Sequence, residues 1–216
     1  MEVRCSTRLC LVRHGETAWN AERRLQGHLD VPLNEVGHVQ AQATAASLAG
    51  QHFAAFYSSD LRRAQQTAAA AGRALGLDAT LAPELRERHY GVFQGLTYDE
   101  ARERFPVEYA RFDARDLDFA FPGNGESLGE FATRIHLALT GIANRHAGQQ
   151  TLIVTHGGVL DIVHRLATGK SLEAPRDFKI PNAALNWIEF DGQSWRLIAW
   201  ADLRHLENAR DELPNA

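Results

Sequence analysis

Cysteine is nearly absent from this 216-residue chain: Cys5 and Cys10 are the whole supply. Two thiols so close together cannot frame a mid-sized fold with disulfides, and they suit a reducing cytoplasm. Cys10 stands in an apolar run and is expected to be buried and inert, with Cys5 in an N-terminal tail. Long apolar runs are missing too. No stretch approaches the roughly 20 residues that cross a bilayer, and the opening Met1-Glu2-Val3-Arg4-Cys5 lacks the apolar centre of a signal peptide. Positive charge is not in excess: the net charge is −4, which argues against a nucleic-acid or anionic-membrane surface. Any anionic ligand must therefore be held by a local pocket. Ten histidines invite a metal site, yet no His-x-x-x-His, His-Glu-x-x-His or Cys-x-x-Cys spacing falls near the candidate residues. No metal and no other cofactor is expected. Internal repeats, low-complexity segments and linkers are also lacking, so residues 1–216 are expected to form one domain.

What is present is enough apolar residue, 44 %, for a substantial core, with strand-like and helix-like patterns in alternation. Leu9-Cys10-Leu11-Val12 reads as a buried parallel strand. After a loop through Trp19, Gly27 and Pro32, Asn34 caps a helix over about 35–49 that ends at Gly50. Phe53–Tyr57 reads as a strand. Ser59 and Asp60 offer caps for a helix from Leu61 to about Leu75, and a short strand follows near Thr80-Leu81. Ser127-Leu128-Gly129-Glu130 is a capping-box pattern that opens a helix to about Arg145. The strand Leu152–Thr155 leads into a helix closed near Gly169. Leu185–Phe190 and Trp195–Trp200 read as a terminal strand pair turned at Asp191-Gly192. Its outer edge is either covered or open to a second copy, as in a homodimer. The polar tail after Leu206 is expected to fray. The alternation predicts an α/β three-layer sandwich: a mainly parallel central sheet with helices on both faces.

Residues 97–122 break this rhythm. They hold Tyr98, Phe105, Tyr109, Phe112, Phe119 and Phe121, six of the chain's fourteen Phe and Tyr residues. Two readings stand: a helical excursion whose aromatics pack on the core, or a cap over a ligand site that selects the ligand.

The most informative residues are two histidines at the ends of predicted strands. Arg13-His14-Gly15-Glu16-Thr17 follows Leu9–Val12, and His156-Gly157-Gly158 follows Leu152–Thr155. In open α/β sheets ligands bind at the carboxyl ends of the strands, and glycine there lets backbone N–H groups face an anion. Either histidine alone could be an ordinary turn residue. Together, with Arg13 beside the first, they point to a phosphate site.

Arg13-His14-Gly15-Glu16-Thr17 resembles the signature of the histidine phosphatase superfamily, in its phosphoglycerate-mutase-like branch. Four more segments are similar to that family and stand in its order. They are Asn20 with Gln26-Gly27 and Asp30–Leu33; Ser58–Thr67; Leu85–Gly95; and His156-Gly157-Gly158. The resemblance implies a metal-independent phosphatase acting on a small phosphorylated substrate through a phosphohistidine on His14, with no nucleic-acid or membrane partner. His14 would be the nucleophile and Glu87 the proton donor, with Glu16 a rival acid of more structural character. Arg13 and Arg62 would offer planar forks to the phosphoryl oxygens, and His156, protonated by the dianion it faces, a third donor. Asn20, Gln26, Gly27 and Gly157 would touch the substrate.

The same family contains 2,3-bisphosphoglycerate-dependent mutases, which carry an adjacent arginine pair after the acid segment and Asn after the second His-Gly. This chain has only single arginines there (Arg102, Arg104, Arg111, Arg115) and Gly158 in place of the Asn. Hydrolysis is therefore the expected reaction, with the mutase as runner-up. A silent module that binds phosphorylated ligands or partners is the reading from another class. Retention of His14, Arg62, Glu87 and His156 speaks against it.

Overall fold

The computed structural model describes residues 6–206; the expectations about Cys5, the first residues and the tail after Leu206 lie outside the described residues. Thirteen regular elements follow one another: β1 (Thr7–Arg13), α1 (Ala18–Ala21), α2 (Glu35–Leu48), β2 (Ala55–Ser58), α3 (Arg62–Leu75), β3 (Thr80–Leu81), α4 (Tyr98–Arg104), α5 (Pro106–Asp113), α6 (Leu128–Arg145), β4 (Gln150–Thr155), α7 (Gly157–Thr168), β5 (Leu185–Phe190) and β6 (Trp195–Asp202). The strands form one sheet in the order β3-β2-β4-β1-β5-β6. The first four are parallel, while β5 runs antiparallel to β1 and β6 to β5. This is the mainly parallel sheet expected, finished by the terminal hairpin.

Side chains of a strand alternate between the two faces of a sheet, and β1 shows how this sequence uses both. Leu9 and Leu11 join Ile153 and the inner faces of α6 and α7 in one core cluster. Cys10 and Val12 join Leu152, Val154 and the inner faces of α2 and α3 in another. Burial pushes the Cys10 thiol well above its usual range, so it stays protonated and inert.

Local chemistry sets the helix boundaries. Asn34 accepts from the Gly37 N–H at 2.8 Å and starts α2 as expected. Ser127 and Glu130 form a reciprocal capping box that opens α6. The start of α3 departs from expectation, because Ser59 and Asp60 do not cap it. Ser59 Oγ contacts His156 and Asp60 pairs with Arg86. The Arg62 N–H is satisfied instead by Asp30 Oδ1, at 2.6 Å, from the distant loop. The second strand is Ala55–Ser58, two residues later than the apolar run suggested.

In the excursion, α4 and α5 carry a third apolar cluster. Tyr109, Phe119 and Phe121 pack with Leu25, Phe93 and Ala101, flanked by Tyr98, Phe105 and Phe112. The aromatics thus build a small core of their own, separate from the two that sandwich the sheet.

Candidate active site

Strands β1 and β4 are neighbours with Arg13 opposite Thr155. The residues that follow, His14 and His156, therefore leave the sheet side by side, with ring centroids 5.2 Å apart. His14 Nδ1 lies 2.7 Å from the carbonyl oxygen of Gly15. A carbonyl can only accept, so Nδ1 holds the proton and Nε2 keeps its lone pair. Burial, followed by the charges of Arg63 and Arg13, holds the His14 imidazole well below its usual range. It is neutral at physiological pH.

His156 is fully buried beside it. Its Nε2 is 2.8 Å from Ser59 Oγ, and its buried Nδ1 has no hydrogen-bond partner among the described residues. Burial, then Arg63 and His14, push this imidazole far down as well. Left to itself the protein keeps His156 neutral. Only a dianion beside it would create the charged donor expected from the sequence.

The two depressed imidazoles make a pH prediction. Unfolded, each titrates at its ordinary 6.5; folded, each binds its proton only at lower pH. Between those values the unfolded chain holds more protons, so stability present above pH 6.5 is lost as pH falls below it. Thermal melts from pH 7.5 to about 5, above the range of ordinary carboxylates, should show a falling Tm. His156→Gln should flatten that slope. A slope unchanged in this variant would remove His156 from the account.

The structure corrects one expected residue. Arg62 points to solvent and binds the loop through its backbone, whereas its neighbour Arg63 is 1 % exposed. The reason is helical phase: Arg63, Thr67 and Ala70 share the inner face of α3, and Arg62 falls outside it. Arg63 donates from Nη2 to Gly27 O at 2.7 Å and from Nη1 to Leu29 O at 2.9 Å. Its buried Nε has no partner among the described residues. Burial lowers its pKa to about 10, which still leaves it charged at neutral pH.

Arg13, His14, Arg63 and Glu87 line one cleft. Arg13 is buried and donates from Nη1 to Ile180 O. Glu87 follows the turn Pro83–Leu85 and is fixed at both oxygens. Oε2 accepts from the Gly158 N–H and Oε1 from the Arg88 N–H, each at 2.9 Å. Asn20, Gln26, Gly27 and Gly157 line the same cleft. Asn20 Oδ1 accepts from the Thr17 N–H at 3.0 Å, and buried Gln26 Oε1 has no partner among the described residues. Gly157 is the first residue of α7, so the free N–H groups of that helix start lie at the cleft. Glu16 is turned away, accepting from Asn34 Nδ2 at 2.7 Å.

Several cleft residues escape a reading of the sequence. Tyr90, Tyr98 and Arg176 also line it. Asn182 donates to His14 O at 2.9 Å from a loop far along the chain. For Arg63 there is a signal, the small-residue face it shares with Thr67 and Ala70. For Arg176 and Asn182 there is none, because they sit in a segment without periodicity. Among the described residues, no group of three or more His, Cys, Asp or Glu side chains is placed to hold a metal ion, and no helix is long and apolar enough to cross a membrane.

Known proteins match this arrangement. The family model of the histidine phosphatase superfamily (branch 1) matches residues 9–203. The chain is 42% identical over 202 residues to phosphoglycerate mutase-like protein 4 of Arabidopsis thaliana, covering 92% of this chain and 86% of that one. It is 40% identical over 204 residues to the metal-independent phosphoserine phosphatase of the same plant, covering 94% and 84%. Among solved structures, Bacillus stearothermophilus YhfR superposes with a TM-score of 0.86 at 34% identity, covering 93% of this chain and 100% of that one. With its matched model, its relatives and its paired strand-end histidines, the chain belongs to the histidine phosphatase superfamily.

Proposed function

We propose that this enzyme hydrolyses a small phosphomonoester in two displacements at His14. The lone pair on His14 Nε2 attacks phosphorus, the P–O bond to the leaving group breaks, and a phosphohistidine forms. Glu87 gives its proton to the departing alkoxide. In the second displacement Glu87 takes a proton from water, whose oxygen attacks phosphorus and releases phosphate and a neutral imidazole. Arg13, Arg63, His156 Nδ1 and the N–H groups at Gly157 are the donors for the equatorial oxygens, where positioning and fixed charge supply most of the catalysis. Asn20, Gln26 and Gly27 hold the adjoining part of the substrate. The observation that carries this reading is the cluster of unsatisfied buried polar atoms around a neutral His14: Arg63 Nε, His156 Nδ1 and Gln26 Oε1. No step needs a metal. A cytoplasmic place accords with the buried, unpaired Cys10.

Gly158 gives a prediction. A Cβ at this position would lie 2.2 Å from Glu87 Oε1, so any side chain there must displace the acid. That oxygen ends a flexible side chain, and the fold can yield. Gly158→Ala should therefore lower kcat by about 10- to 100-fold with a near-native melting temperature. An unchanged kcat would show that Glu87 does not need this seat.

The reading itself is tested by phosphate release from a panel of phosphomonoesters with EDTA present, combined with acid-quench trapping of a phosphoenzyme. Release that survives EDTA, together with label on His14, is expected. Isomerisation of a phosphoglycerate outrunning release, with 2,3-bisphosphoglycerate added, would establish the mutase in its place.

A further inference from the structure

Glu87 is held by more than the two N–H groups that its carboxylate accepts. Its peptide link to Arg88 is planar and trans, so the Glu87 C=O and the Arg88 N–H point in opposite directions. The N–H end donates to Glu87 Oε1 at 2.9 Å. The carbonyl end receives two donors from distant parts of the chain. Arg134 Nη2, on α6, lies 3.2 Å away, and the same guanidinium donates to the carbonyls of Glu84 and Arg86 and pairs with Glu126. His28 Nε2 lies nearer, at 2.8 Å, and comes from the loop between α1 and α2. A carbonyl only accepts, so the His28 ring carries its proton on Nε2. The His28 backbone belongs to the loop that lines the cleft with Gln26 and Gly27. Its N–H donates to Gln94 Oε1 at 2.7 Å, and the carbonyls on either side, of Gly27 and Leu29, are those that Arg63 holds. The half-buried ring stands edge-on to His89, with centroids 4.8 Å apart. One imidazole thus joins the loop of Gln26 and Gly27 to the peptide plane that aims the acid.

We propose that His28 is a positioning residue for Glu87, holding the Glu87–Arg88 peptide so that the carboxyl stays aimed at the leaving-group oxygen. The proposal rests on the phosphatase reading above and deepens its acid step. Two observations separate this role from that of a plain loop latch. The link ends on the peptide of the acid itself, not on a neighbour. Arg134 already ties the acid segment to α6 at three carbonyls, so the course of that segment does not depend on His28. What His28 adds is a second direction of pull, which fixes the tilt of the peptide relative to the loop beside the phosphate. A change of tilt would swing the Arg88 N–H away from Oε1. The carboxyl would then keep only the Gly158 N–H and could turn about it. Acid catalysis is sensitive to such a displacement, because the proton passes only within hydrogen-bond reach of the departing oxygen.

The test uses leaving-group basicity as its reporter. p-Nitrophenyl, phenyl and benzyl phosphate release oxyanions of increasing basicity: nitrophenolate departs with little need of a proton, and the benzyl alkoxide requires one. In His28→Leu, which keeps the bulk and loses the donor, kcat/KM for benzyl phosphate should fall by about tenfold or more, with p-nitrophenyl phosphate within about threefold of wild type. His28→Gln, whose amide N–H reaches the place of Nε2, should restore most of the benzyl rate. Glu87→Gln should show the same leaving-group pattern, and adding His28→Leu to it should cost nothing further. That double-variant comparison is run on O-phosphoserine as well, so that the outcome does not depend on aromatic esters. His28→Asn, polar but too short to reach the carbonyl, replaces the leucine variant should a thermal melt show poor folding. An equal fall across the three esters, a glutamine variant as slow as the leucine one, or a full extra loss in the double variant would overturn the proposal and leave His28 a latch. Absence of phosphate release from all four esters in the wild type would instead sink the phosphatase reading itself.

Discussion

Replacing His14 by alanine should reduce phosphate release by about 10⁴-fold or more and abolish the trapped phosphoenzyme. The size of the effect follows from how completely the surroundings are arranged for one nitrogen. The Gly15 carbonyl accepts the hydrogen bond of the Nδ1–H, and burial with two arginines keeps the ring neutral, so Nε2 is a free nucleophile at physiological pH. The neighbouring imidazole of His156 is no substitute in this reading, because its Nε2 is engaged by Ser59 and its Nδ1 is a donor to the phosphoryl oxygens. A steady-state assay with the best ester, together with a thermal melt to establish folding, makes the measurement. Residual turnover within a hundredfold of wild type would place the nucleophile elsewhere.

The second large effect separates two adjacent arginines. Arg63→Lys should lower kcat/KM by about 10²- to 10³-fold, whereas Arg62→Ala should stay within about threefold, as for a surface change. Lysine keeps the charge and removes the fork, which makes it a cleaner probe than alanine. Truncation to alanine would also strand the Gly27 and Leu29 carbonyls that Arg63 now satisfies, at a cost of about 1–3 kcal/mol for each. Loss of stability would then be confused with loss of catalysis. Parallel kinetics of the two variants decide the matter, and the opposite ranking would return the role to Arg62.

The contrast between these neighbours shows where a sequence stops being readable. The strands around Leu9–Val12 and Leu152–Thr155 were plain in apolar runs, and with them the two histidines, because a buried parallel strand has a composition of its own. Asn34 and Ser127 could be placed because capping is local chemistry. Arg62 and Arg63 differ only by 100° of helical phase, and what separates them is the buried face that Arg63 shares with Thr67 and Ala70, while the first N–H of α3 is satisfied by Asp30, more than thirty residues earlier. Local caps at Ser59 and Asp60 were equally plausible until tertiary partners claimed both. Residues 170–182, which run without regular structure between α7 and β5, are the extreme case. Their carbonyls are satisfied by arginines and a tryptophan scattered from position 13 to position 200, so no pattern within 170–182 could announce the course of this segment or the place of Arg176.

The pairing of β1 with β4 also constrains what evolution can do with this scaffold. His14 and His156 are neighbours only because Arg13 and Thr155 stand opposite each other. Side chains change face at every step along a strand, so inserting or deleting one residue inside either strand would turn one histidine to the far side of the sheet. Single substitutions in the strands can be absorbed, but changes of length cannot. New substrates must therefore be acquired in the segments whose length is free, the aromatic excursion and residues 170–182, while the phosphate chemistry is inherited as a fixed frame.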